Sequence, residues 1–241
     1  MPPAARTVDA VKVYGEGDFA VRALDGVDFE VDKGAFTAIM GPSGSGKSTL
    51  MHCMAGLDDL TDGEVWIGDV DLGSLTDRQL TRLRRDRVGF VFQAYNLIPT
   101  LTGEENITLP LRIAGRDPDR GWFDQVVDIL GIRDRLTHRP TEMSGGQQQR
   151  VAAARALVSR PDIIFGDEPS GNLDSTSAAE LLGFLRRAVD EFDQTIVMVT
   201  HKPMAAAYAD RIVFLRDGRI VDELNNPTTE SVIDKVKELE T

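Results

Sequence analysis

Two hydrophobic rhythms alternate along the chain. Near its start apolar residues alternate with polar ones at Val27, Phe29 and Val31, with acidic side chains between them, and "TVDAVKVY" (7–14) reads similarly apart from the adjacent Ala10 and Val11. A period of two marks half-buried strands, so this region is expected to form a small antiparallel sheet. Four later stretches do not alternate: "AFTAIM" (35–40), "VGFVF" (88–92), "DIIFG" (162–166) and "TIVMV" (195–199) are short, mostly apolar, and rich in β-branched or aromatic residues. Such runs predict strands of a parallel sheet covered on both faces.

Between Gln93 and the strand expected at 162 the spacing becomes helical. Thr102 and Glu105 stand at capping-box distance, "WFDQVVDILGI" carries an apolar stripe, and Gly131 is placed to end that helix. The pattern predicts a helical lobe over 94–157, inserted into an α/β core with its β subdomain built from 7–93 and 158–225. After Pro227, the residues Val232, Val236 and Leu239 share one helical face, which predicts a docking helix over 228–241.

A polar element follows each of the four buried runs: Gly41 to Thr49, then Gln93, then Asp167 and Glu168, then His201. Ligands of open α/β sheets bind beyond the carboxyl ends of the strands. These scattered groups are therefore expected to meet at one edge.

The first group is the most specific. "GPSGSGKST" comprises Gly41, Pro42, Ser43, Gly44, Ser45, Gly46, Lys47, Ser48 and Thr49, and fits the G-x-x-x-x-G-K-[ST] pattern between a strand and a helix. Its glycines let backbone N–H groups curl around phosphate oxygens, and the helix N-terminus adds partial positive charge. Lys47 is expected at the β- and γ-phosphates of a nucleoside triphosphate and the Ser48 hydroxyl at Mg²⁺. Asp167, at a strand end, suits Mg²⁺ held through its water shell, and Glu168 suits a base that takes a proton from attacking water. His201 is positioned for the γ-phosphate. Tyr14 is expected to stack on the adenine, the alternative being an ordinary tyrosine at a sheet edge.

Polarity also marks "MSGGQQQR" (143–150), ahead of the apolar "VAAARAL". Ser144, Gly145, Gly146 and Gln147 open a helix with a hydroxyl, close-approach backbone and a dipole, a second anion site far along the chain from the first. Two copies related by a two-fold axis would let each such opening cover the γ-phosphate held by the other's cradle.

Read together, "GPSGSGKST", Gln93, "SGGQQQR", "IIFGDE", "GNLD" and His201 closely resemble the ATP-binding subunits of ABC transporters, in the family's order and over nearly the whole chain. "VGFVFQAYNLIPTLTGEENI" and "DEPSGNLDS" are similar to the subgroup of macrolide-efflux, lipoprotein-release and FtsE-like ATPases. The resemblance implies a P-loop NTPase (RecA-like) α/β core, ATP and Mg²⁺ as cofactors, and a homodimer that closes on ATP. It also implies Glu168 as general base, and Gln93 as a sensor joining Mg²⁺ and the attacking water to an integral-membrane permease. Asn172 and Asp174 would lie at the dimer contact, and the permease would dock near Leu97, Ile98 and Leu101. Two positions depart from the common pattern: Met143 stands where leucine usually precedes the signature, and Gly166 where alanine usually precedes Asp167.

Composition narrows the alternatives. The 241 residues carry a formal charge of −12, which argues against nucleic acid or an anionic membrane surface as a direct partner. The basic cluster 78–87 is expected to be a solvated helix face paired with acids. The lone Cys53 is expected to be a small buried hydrophobe, and His52 and His138 to serve ordinary surface or packing roles. No apolar run approaches the ~18 residues of a membrane span, so a cytoplasmic chain reaching the membrane only through its permease is expected.

Overall fold

The structure, a computed structural model, describes residues 2–240. In chain order the elements are β1 (Ala5–Tyr14), β2 (Val21–Val31), β3 (Phe36–Met40), α1 (Lys47–Met54), β4 (Asp62–Ile67), β5 (Val70–Asp71), α2 (Asp77–Arg87) and β6 (Val88–Phe92). There follow α3 (Gly103–Ile113), α4 (Arg120–Ile129), α5 (Gly145–Leu157), β7 (Ile163–Asp167), α6 (Ser175–Phe192) and β8 (Ile196–Val199). The chain continues through α7 (Pro203–Ala206), β9 (Arg211–Arg216), β10 (Arg219–Asn225) and α8 (Thr229–Glu240).

The alternating strands form an antiparallel sheet of order β2-β1-β4-β5, and the apolar runs form the parallel part of a sheet ordered β10-β9-β3-β8-β7-β6. Side chains of one strand point alternately to opposite faces, and here both faces are covered. Phe36, Ala38 and Met40 of β3, with Ile196 and Met198 of β8, face the helices, while Ile39, Val197 and Val199 face α1 and the antiparallel sheet. This two-sided burial is why those runs show no alternation in the sequence.

Sequence reading overlooked β9 and β10. They form a hairpin whose two-residue turn, Asp217 and Gly218, has positive φ at both positions (50° and 74°). An Asp-Gly pair between apolar runs is a usable hairpin signal.

The helices α3, α4 and α5 fall in the expected stretch, but they do not enclose a separate core. Ile107, Trp122, Phe123, Val126 and Val151 belong to the same apolar cluster as Phe36, Val91 and Ile164 of the sheet. Local chemistry sets the ends of these helices: Thr102 Oγ1 accepts from the Glu105 N–H while Glu105 Oε2 accepts from the Thr102 N–H, and Gly131 closes α4 at φ 59°. At the chain's far end Val232 of α8 is fully buried, with Val236 and Leu239 packed on the same cluster.

Asn106 on α3 is completely buried and ties down the preceding loop. Its amide donates to the carbonyls of Ile98, Leu101 and Thr102, and its oxygen accepts from the Ile98 N–H. Asn106→Leu strands these buried groups, at roughly 1–3 kcal/mol for each one left without a partner. Urea unfolding is expected to show a lower midpoint for this variant at an unchanged slope.

The basic helix α2 is paired as expected: Arg84 caps the Gly56 carbonyl, Arg85 pairs with Asp86, and Arg87 with Asp162. Cys53 is buried, and burial pushes its thiol up to about 12.

Candidate functional site

Because β3, β8, β7 and β6 run parallel, their carboxyl ends deliver Gly41, Thr200, Asp167 and Gln93 to one edge. The loop after β3 turns on glycines that no other residue can replace. A Cβ on Gly41 (φ 151°) would collide with the Leu215 carbonyl oxygen, and one on Gly46 (φ 99°) with that of Ala23. Helix α1 then starts at Lys47. The Lys47 ammonium folds back 2.7 Å onto the Pro42 carbonyl. Burial lowers its pKa, and the charges of Glu168 and Asp167 oppose that shift. Ser45 Oγ is buried without a protein partner, an orphaned donor inside the cradle. Ser43 and Gly44 are exposed on the loop's outer side and Thr49 is half-buried on α1.

Beneath the loop, Ser48 Oγ donates to Asp167 Oδ1 at 3.2 Å. The next residue, Glu168, holds a left-handed φ of 47°, a strained backbone for a non-glycine. Its N–H bonds the Val199 carbonyl (3.0 Å), and its Oε1 accepts from the His201 N–H (3.0 Å) and lies 2.7 Å from His201 Nδ1. Thr200 Oγ1 donates to the other carboxylate oxygen at 3.4 Å. The carboxylate is thus aimed by the turn after β8, while the imidazole stays largely exposed at its other edge.

Two side chains at this edge hold partners within the chain. Gln93 Nε2 donates to Asn172 Oδ1 (2.8 Å), and Asn172 Nδ2 donates back to the Gln93 carbonyl (3.2 Å). The side chain lies over Gly171, so the two loops grip each other. His52 corrects an expectation, because it is not an ordinary surface residue. Its Nε2 stands 3.5 Å from Asp167 Oδ2, and this contact raises its pKa against the effect of burial. The available signal was its spacing, four residues after Ser48 on one helix face. His138, by contrast, sits beside Arg135 at 3.4 Å, away from this edge.

Gln149 also went unnoticed in the sequence. Fully buried on α5, its Nε2 donates to the Phe92 carbonyl (3.1 Å), just before Gln93, and to the Pro169 carbonyl (2.5 Å), just after Glu168. A glutamine on the buried stripe of a helix was the signal.

Tyr14 is partly exposed. Its hydroxyl donates to Asp58 Oδ2 at 2.6 Å, and the Lys12 ammonium lies 4.8 Å from the ring centroid. Ser144 caps α5 by accepting from the Gln147 N–H (3.3 Å), and Gln147 Oε1 accepts from the Ser144 N–H (2.9 Å). A Cβ on Gly145 would press on the Tyr95 hydroxyl and one on Gly146 on Ser177 Oγ, so both glycines serve close packing within the chain. Met143 is buried, its methyl close to Gly103, and Pro169 sits over Gly166 where an alanine Cβ would be tight at 3.3 Å. Asp174 caps α6, accepting from the N–H groups of Thr176 and Ser177, and these bonds hold its carboxyl below the usual range.

An apolar groove opens between the sheet and the helices, lined by Leu57, Phe90, Phe92, Asn96 and Pro110 with arginines at its rim. Of the residues expected at a partner contact, Ile98 is exposed, whereas Leu97 and Leu101 are half-buried.

A glycine-built loop with Lys47 folded onto it and a hydroxyl–carboxylate pair under it suit a chain of phosphates, and the clamped Glu168 suits hydrolysis: these features define a P-loop ATPase. The ABC transporter family model matches residues 24–171, and the chain belongs to that family. It is 45% identical over 216 residues to the bacitracin export ATP-binding protein BceA of Halalkalibacterium halodurans, covering 89% of this chain and 85% of that one. It is 43% identical over 223 residues to the macrolide export ATP-binding/permease protein MacB of Marinobacter nauticus, covering 92% of this chain but only 34% of that longer protein. Among solved structures it superposes on the dimeric ABC transporter cassette MJ0796 with a TM-score of 0.83 at 39% identity, covering 93% of this chain and 99% of that one. A post-hydrolysis dimer of MJ0796 bound to ADP and Pi matches with the same TM-score at 38% identity.

Proposed function

We propose that this chain is the ATPase subunit of a membrane complex of the macrolide-export, lipoprotein-release or FtsX-like type, converting ATP-driven dimer closure into work on a permease. The observation that carries the reading is the meeting of Ser48, Asp167 and Glu168 under a phosphate cradle, beside an uncovered apolar groove.

The N–H groups of 41–49 and the Lys47 ammonium hold the phosphates, and Tyr14 offers its ring to the adenine. The donor chemistry near Ser48 and Asp167 suits Mg²⁺. Both are hard oxygens, and among the described residues no cluster of three or more His, Cys, Asp or Glu could hold a metal alone, so phosphate oxygens would complete the shell, as Mg²⁺ prefers. When bound, Mg²⁺ neutralises charge on the β- and γ-phosphates. Glu168 takes the proton of the attacking water, and the exposed edge of His201 is free for the γ-phosphate. Gln93 leaves Asn172 to face the metal and water when Asn172 and Asp174 meet the second copy. Ser144, Gly145, Gly146 and Gln147 then cover the γ-phosphate across the dimer.

For the permease we propose the groove at Leu57, Phe90, Phe92 and Pro110, with Ile98 on the adjoining loop, and the stretch 94–157 as the lobe that carries its motion. No helix of the described residues is long and apolar enough to cross a membrane, and the proposed attachment is through the permease at the cytoplasmic face.

The test is affinity capture of Glu168→Gln protein with ATP from detergent-solubilised membranes, read by mass spectrometry. Recovery of a permease, lost when Phe90 and Leu57 are replaced by glutamate, is the expected result. Soluble or nucleic-acid-associated partners alone would refute it.

A further inference from the structure

We infer that His52 is a positioning residue that orients Asp167 for Mg²⁺, an inference resting on the placement of Mg²⁺ at Ser48 and Asp167 proposed above. The two carboxylate oxygens of Asp167 meet different side chains from one face of α1. Oδ1 accepts from Ser48 Oγ at 3.2 Å, and Oδ2 faces His52 Nε2 at 3.5 Å. The four-residue spacing of Ser48 and His52 puts both one above the other on the helix, so a single rigid element grips both ends of the carboxylate.

The backbone on each side is fixed. Asp167 is the last residue of β7, registered against Phe92 of β6 and Val199 of β8. His52 sits in the final turn of α1, where its carbonyl accepts the N–H groups of Leu57 (2.8 Å) and Asp58 (3.3 Å) and so anchors the turn. Without the imidazole, Oδ2 would face solvent and the carboxylate would be free to rotate away from Ser48. A metal-binding carboxylate held by an outer hydrogen-bond donor is better oriented than a free one, and losing such a donor typically costs about ten- to a hundredfold in metal affinity.

The measurement is Mn²⁺ affinity, read by electron paramagnetic resonance with a saturating non-hydrolysable ATP analogue, in parallel with binding of a fluorescent ATP analogue without metal. His52→Leu is expected to weaken Mn²⁺ by roughly ten- to a hundredfold and to leave metal-free nucleotide binding unchanged, which also reports an intact fold. His52→Gln, whose amide can donate to Oδ2 from the same helix face, is expected to restore most of the affinity. Wild-type Mn²⁺ affinity in His52→Leu would overturn the inference, as would a loss that His52→Gln fails to repair. An Asp167→Asn variant that binds Mn²⁺ normally would instead refute the placement of the metal, separately from any effect of His52.

Discussion

Glu168→Gln is expected to bind ATP normally yet to hydrolyse it about 10²- to 10⁴-fold more slowly, the usual weight of a general base. In barrier terms that is about 3–5 kcal/mol. The variant should keep its shape, because a glutamine oxygen can still accept from the His201 N–H that now bonds Glu168 Oε1 at 3.0 Å. What it loses is the ability to take a proton. The strained φ of 47° at this residue is held by the bond from its N–H to Val199, which the substitution leaves alone. With turnover blocked, ATP-bound dimers should accumulate and appear by light scattering in Mg²⁺ and ATP. Hydrolysis near the wild-type rate would remove Glu168 from the mechanism.

Ser144→Arg is the second large effect. Ser144 is exposed at the start of α5, where its hydroxyl caps the helix. Losing that cap costs only about 1 kcal/mol, and Gln147 still accepts from the backbone N–H of residue 144, so the subunit should fold and bind a fluorescent ATP analogue as before. On the dimer proposed above, a long cationic side chain at this opening would obstruct the second copy's cradle and remove the hydroxyl from its γ-phosphate. Dimers should fail to form with ATP, and turnover should fall to background. ATP-dependent dimers of wild-type affinity would show that this helix start is not a phosphate site across the interface.

Much of the fold was legible because its causes are local. Alternation at Val27, Phe29 and Val31 reports a sheet with one covered face, and the unbroken runs report one covered on both. The cap at Thr102 and Glu105 and the helix end at Gly131 depend on residues within a turn of each other, and both stand as read. The hairpin of β9 and β10 has an equally local signal in Asp217 and Gly218. The helices α3, α4 and α5 fall in the stretch read as an inserted helical lobe, but periodicity shows only which face of Val126 or Val151 is apolar, not which surface covers it.

The same boundary runs through the site. Sequence by itself determined the cradle at 41–49, the carboxylates Asp167 and Glu168, the capped opening at Ser144 and the family they belong to. Each is a contiguous motif whose residue types and spacing name its chemistry, although remote segments such as Val199 and Leu215 hold its backbone. Only the tertiary structure decided that His52 rests on Asp167, that Gln93 is held by Asn172, and that Gln149 joins Phe92 to Pro169. Those contacts join side chains far apart in the chain, and they exist because strand order and register bring the chain's remote segments within a few ångströms, where rotamers and hydrogen bonds choose the partners.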